Sequence, residues 1–155
     1  MNVYEEKLTG REFHTSSPEE TEQVGEDCAS CWPSPAAVAL VGPLGSGKTT
    51  FTRGVLRGKG GEVELARSPT FTLINRYENT SPPMIHADLY RAQKVEAQET
   101  ISLEEYFERA LVIVEWAARW KLGWPEKTWT VNFEYDGPTG RIITVRKGAP
   151  DAAGN

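Results

Sequence analysis

The run AAVALV at Ala36–Val41 is apolar at every position, and GPLGSGKT follows it at once. A strand with no polar face must be covered on both sides, as in a parallel sheet flanked by helices. The next eight residues match G-x-x-x-x-G-K-[ST] at Gly42, Gly47, Lys48 and Thr49. Residues 48 to about 56 read as a helix, stopped by Gly58, Gly60 and Gly61. A strand, a glycine loop and a helix in this order aim backbone amides at an anion, and the glycines let the chain wrap closely around it. The pattern is that of a phosphate-binding loop. Its chemistry assigns Lys48 to β- and γ-phosphate oxygens and the Thr49 hydroxyl to magnesium.

Magnesium chemistry also needs an acid at the end of a neighbouring strand. Two positions qualify. LVIVE closes on Glu115, and MIHAD closes on Asp88. Acids at the carboxyl ends of central strands face the ligand side of an α/β sheet. Ser68 and Thr70, in the SPT run before the next strand, supply hydroxyls of the kind that switch loops use to sense a γ-phosphate. Arg91 can pair with Asp88 or reach phosphate. Trp116, directly after Glu115, is a candidate partner contact among several tryptophans. No N-K-x-D run is present, which favours ATP over GTP.

The remaining punctuation fills in the architecture. Residues 12–15 read weakly as a strand. Ser17, Pro18 and Glu20 form a helix start, and that helix runs towards Ala29 before Trp32-Pro33-Ser34-Pro35. Residues 71–77 and 84–88 read as strands, Ser102 as a second helix start, and 128–135 with 141–146 as a hairpin around DGPTG. The expectation is an α/β sandwich, a compact phosphate-loop fold with a mixed parallel and antiparallel sheet. With 155 residues, it is expected to form one domain over 1–147 and a frayed tail over 148–155.

Composition constrains partners and compartment. Hydrophobic residues make up 39% and charged residues 25%, and the net charge is −5. An acidic chain does not favour direct binding to a nucleic-acid backbone. The first residues lack the pattern of a signal peptide, and no apolar run is long enough to span a bilayer, so the cytoplasm is expected. Cys28 and Cys31 form a lone CxxC without a second pair. That spacing reads better as two small residues one turn apart than as a redox or zinc site.

Taken together, HTSSPEET, GPLGSGKTT, SPTFTLINRY, HADLYR and VEWAARW resemble the TsaE (YjeE) family of small bacterial ATPases. The resemblance covers most of the chain, roughly residues 13–146. It implies weak ATP hydrolysis alone and work in a complex with TsaB and TsaD. That system makes threonylcarbamoyladenosine next to the anticodon of tRNAs reading ANN codons. By position, the resemblance implies that Gly45, Ser46, Gly47, Lys48, Thr49 and Thr50 hold the triphosphate. It implies Thr49 and Glu115 at magnesium, with Asp88 near the metal or the attacking water. Thr70 belongs to the switch-like segment, Trp116 to the family's EW pair, and Thr15 to a position near the base. Lys48, Asp88 and Glu115 are the catalytic candidates. Val24 stands where the family pattern leads one to expect leucine, and residues 28–35 match nothing in that pattern. Two alternatives remain: a small-molecule kinase, disfavoured because residues 93–107 are acidic and lack arginine, and an ATP-gated interaction module.

Overall fold

The computed structural model describes residues 7–33, 35–66, 69 and 73–151. Seven strands form one sheet: β1 (Arg11–Thr15), β2 (Ala36–Val41), β3 (Ile74–Tyr77), β4 (Met84–Asp88), β5 (Leu111–Glu115), β6 (Thr128–Asp136) and β7 (Gly140–Lys147). Their order is β1-β7-β6-β2-β5-β4-β3. The four central strands β6, β2, β5 and β4 are parallel, and β1, β7 and β3 join antiparallel at the two sides. The apolar runs read as doubly covered strands are the centre of this block, and every residue of LVIVE is buried.

Alternation along the strands feeds two cores. Val38, Leu40, Met84, Ile113, Val131 and Phe133 face helices α1 (Pro18–Ala29) and α2 (Lys48–Gly58). Ala37, Ala39, Ile85, Ala87, Val112 and Val114 face the other way, under Ile101, Leu103, Phe107 and Trp120. The sheet is therefore sandwiched, as the sequence pattern predicts, and its antiparallel flanks make it mixed.

The pairing of α1 with α2 explains two glycines that look costly inside helices. A Cβ on Gly54 would lie 1.8 Å from the Glu22 carbonyl oxygen, and one on Gly25 would lie 2.1 Å from that of Phe51. The helices thus meet backbone to backbone, a closeness that offsets the poor helix propensity of glycine. Arg57 of α2 clamps the crossing by donating to Glu22 and, at 2.7 Å, to Glu26 of α1. Ser17 caps α1 by accepting from the Glu20 amide, and Pro18 occupies the first turn, as expected.

Three local readings change. Ser102 starts only a 3-10 turn and makes no side-chain cap bond to it. It ends α3 (Val95–Ile101) in the left-handed region, and a single 3-10 turn, Leu103–Glu105, follows. α3 is only seven residues long and its N-cap residue makes no side-chain cap bond. It is held by tertiary contacts: buried Gln98 donates to the carbonyls of Ala92 and Arg119 and accepts from the Lys121 amide. The strand read over 71–77 is described only from Ile74, after Leu73 at a φ of 69°. At the C-terminus, Gly148 remains tied to β6, its amide on Thr128 and its carbonyl accepting from the Thr130 hydroxyl. Residues 152–155 of the expected tail lie outside the described residues.

Candidate functional site

The loop after β2 opens at the carboxyl end of the parallel block. Gly45 and Gly47 sit at φ of 74° and 105°, and Gly47 is the left-handed N-cap residue of α2. A residue with a Cβ would be strained there. The first turn of α2 leaves the amides of residues 48–50 without intrahelical acceptors, as at any helix start. Helix start and loop line a cavity of about 330 Å³ with Leu44, Gly45, Gly47, Lys48, Thr49, Thr50, Asp88, Tyr90, Glu115 and Trp116. A smaller recess of about 100 Å³ shares Gly45, Gly47 and Thr50 and extends past Ser17, Thr21, Thr139 and Arg141. The two share the loop's residues and form a trough along it.

Sheet register brings the acids together. Asp88 of β4 lies directly beside Glu115 of β5, which in turn aligns with Leu40 of β2 just before the loop. All three residues point to the α2 face. Thr49 therefore reaches Glu115: its hydroxyl donates at 3.1 Å to Oε1 and 3.2 Å to Oε2. Asp88 accepts from the Tyr90 amide at 2.9 Å. A hydroxyl bonded to one carboxylate, with a second carboxylate lining the same cavity beside a row of free helix amides, is an oxygen donor set suited to a magnesium ion that takes its remaining ligands from phosphate and water. The residues present fit that group.

Lys48 is nearly buried, and its ammonium donates to the carbonyls of Gly42 at 2.6 Å and Pro43 at 2.9 Å. The same nitrogen lies 4.5 Å from the centre of the Trp116 ring. Burial lowers the pKa of this amine from its ordinary value, while Glu115 and Asp88 pull it back up. A cation kept partly desolvated beside a cavity binds an incoming anion more strongly than an exposed one does. Trp116 holds its place in the left-handed region, φ 56°, and also stacks against Arg119 and Tyr90.

The sequence candidates fall into distinct groups. Gly45, Gly47, Lys48, Thr49, Thr50, Asp88, Glu115 and Trp116 converge on the main cavity. Ser46 turns inward: it is fully buried, its hydroxyl has no partner among the described residues, and its amide bonds to Pro43. Only its backbone faces the loop's chemistry. Thr15 is buried behind the recess and hydrogen-bonded to Thr21 at 2.8 Å, and it is Thr21 that lines the trough. Ser68 and Thr70 lie outside the described residues. Cys28 and Cys31 are free thiols at the end of α1, with Cys28 buried. Residues 101 and 103, within the acidic segment that counts against a kinase, pack under the opposite face of the sheet.

Sequence reasoning missed His86, Thr21, Leu44, Tyr90 and Arg141. Arg141 donates to the Gly45 carbonyl at 3.2 Å and stacks on Tyr135, which itself donates to the Leu44 carbonyl. A basic residue opening the second arm of a hairpin carries no signal of this in sequence. It becomes visible once β7 pairs with β6 beside the loop.

Comparison with known proteins assigns the chain. A family model described as threonylcarbamoyl adenosine biosynthesis protein TsaE matches residues 15–143. The chain belongs to the TsaE family. A relative from Bacillus subtilis, named tRNA threonylcarbamoyladenosine biosynthesis protein TsaE, is 34% identical over 133 residues, 85% of this chain and 82% of its own length. A TsaE of the same name from Aquifex aeolicus is 35% identical over 110 residues, covering 70% of this chain and 78% of the relative. One from Haemophilus influenzae is 37% identical over 99 residues, 63% and 62% of the two chains. The crystal structure of Bacillus subtilis YdiB superposes with a TM-score of 0.74 at 29% identity, covering 91% of this chain and 88% of that one. Among the described residues no helix is long and apolar enough to cross a membrane.

Proposed function

We propose that this chain is a magnesium-dependent ATPase that supports formation of threonylcarbamoyladenosine next to the anticodon of tRNAs reading ANN codons, in complex with TsaB and TsaD homologues in the cytoplasm. Membership of the TsaE family supports the pathway. The observation that carries the ATPase reading is the convergence of Thr49, Glu115 and Asp88 beside Lys48 and the start of α2.

In this reading the amides of residues 45 and 47–50 and the Lys48 ammonium cradle the phosphates, so that negative charge is met by donors already at the loop. Thr49 and Glu115 would hold magnesium, which would supply positive charge to the phosphates. Asp88 orients the attacking water or a water on the metal. The recess beside Thr21 and Arg141 takes the nucleoside. ATP is preferred over GTP because the chain lacks a guanine-reading N-K-x-D run.

The partner reading draws on the rim. Leu44, Tyr90 and Tyr135, the exposed large hydrophobic residues among those described, all stand around the loop, at 73%, 43% and 52% exposure. Aromatic and aliphatic side chains grouped around a cleft mark an interaction surface. A partner seated there closes the site, and hydrolysis is slow without it. tRNA is engaged through the partners, in keeping with the acidic charge.

The test replaces the native protein with Lys48→Ala or Glu115→Ala in cells and measures threonylcarbamoyladenosine in tRNA by mass spectrometry, with ATP hydrolysis measured in vitro with and without the two partners. Both variants are expected to lose the modified nucleoside and partner-stimulated hydrolysis. Full modification with Lys48→Ala sinks the proposal.

A further inference from the structure

His86 is 1% exposed in the middle of β4, yet it carries a polar ring into the α2 face of the sheet. It aligns with Ile113 of β5, while Asp88 aligns with Glu115. Its side chain therefore stands diagonally behind the Glu115 carboxylate, on the same face. Nε2 lies 2.6 Å from Glu115 Oε2. A carboxylate only accepts, so the proton of this bond sits on Nε2. Nδ1 has no partner among the described residues. The ring thus makes its one hydrogen bond to Glu115.

Glu115 is itself 4% exposed and, among the described residues, accepts from His86 Nε2–H and the Thr49 hydroxyl. A buried carboxylate needs such donors to stay in one orientation. Thr49 belongs to the helix start that faces the cavity. His86 belongs to the sheet and does not line that cavity. Thr49 reaches both carboxylate oxygens from the cavity side, and His86 holds Oε2 from within the sheet.

We propose that His86 is a positioning residue for Glu115: by anchoring Oε2 to the sheet it holds the carboxylate in one orientation towards Thr49 and the cavity, where a magnesium ion would be received. This rests on the reading of Thr49 and Glu115 as the magnesium end of an ATP site. Groups that orient a metal-binding side chain from behind typically change metal affinity by about 10- to 100-fold when removed.

The experiment exploits the reach of two amides. In His86→Gln the side-chain nitrogen can occupy the place of Nε2, whereas in His86→Asn it stops near the place of Nδ1. Binding of a fluorescent ATP analogue is measured for both variants and for the native chain, in EDTA and across a magnesium titration, with folding checked by circular dichroism. The expected result is that His86→Asn needs about 10-fold more magnesium for half-maximal enhancement of binding. His86→Gln stays close to native, and binding in EDTA is the same for all three. Native-like magnesium dependence in folded His86→Asn, or an equal loss in both variants, overturns the positioning role. Absence of any magnesium-enhanced binding by the native chain instead removes the underlying ATP reading.

Discussion

Glu115 shows how much of a site a residue pattern can carry. An acid closing an apolar strand is legible, and so is Asp88 closing MIHAD, because period and position alone put both at the ligand edge of a sheet. Their adjacency is not legible. It comes from the register of β4 on β5, a long-range pairing that no local signal encodes. His86 stayed hidden for the same reason, since a histidine inside a short strand looks like core until its diagonal neighbour is known. Thr15 illustrates a finer limit: its hydroxyl bonds to that of Thr21, and it is Thr21, itself buried, that lines the recess. The cysteines provide a residue-scale check. Burial first, then the neighbouring Cys31 and Asp27, push the Cys28 thiol up to about 12, while Cys31 is half-buried. A raised pKa keeps the thiol protonated and unreactive. Ellman's reagent should therefore titrate one thiol quickly in the native protein and both in denaturant. Two fast thiols in the native protein would contradict the packing of α1 on the sheet.

At the scale of elements, those with strong local signals formed where their residues indicated. The capped helix after Ser17, the apolar strands, the loop-to-helix unit and the hairpin all have chemistry within a few residues of their ends. α3 escaped because its stability is not local. Seven residues with no side-chain cap form a helix only because Gln98 bonds three backbone groups from two other segments. The α1–α2 crossing offers the sharpest test at this scale. Alanine at Gly54 gains about 1 kcal/mol in helix propensity. Its Cβ, however, would sit 1.8 Å from the Glu22 carbonyl, a backbone atom that cannot swing away. Overpacking of this kind costs about 1–3 kcal/mol or more, so Gly54→Ala should be net destabilising. A fall in Tm of roughly 5 °C is expected for a chain of this size. A Tm equal to or above that of the native protein would show that the helices do not meet as closely as described. Because Thr21 of α1 packs against Gly47, with 3.3 Å from its methyl to a Cβ placed there, loosening the crossing also disturbs the loop.

Across the whole molecule, the parallel block β6-β2-β5-β4 fixes a single edge where loop, helix start and acids meet, and the antiparallel flanks frame it. β7 contributes Arg141 and β6 contributes Tyr135 to the outer side of the loop, and the segments after β4 and β5 contribute Tyr90 and Trp116 to the inner side. The trough lies between these two sides, and its rim carries the exposed Leu44, Tyr90 and Tyr135. Everything proposed here about hydrolysis and tRNA modification depends on that trough taking ATP at Lys48. The most direct measurement is a titration of ATP, with magnesium present, into the native chain and into Lys48→Ala. The native chain should bind one ATP saturably, and Lys48→Ala should bind about 100-fold more weakly, the loss expected for two charge-assisted bonds of about 1.5 kcal/mol each. Equal affinity in the two proteins, or no binding by either, would contradict the placement of the nucleotide at this loop.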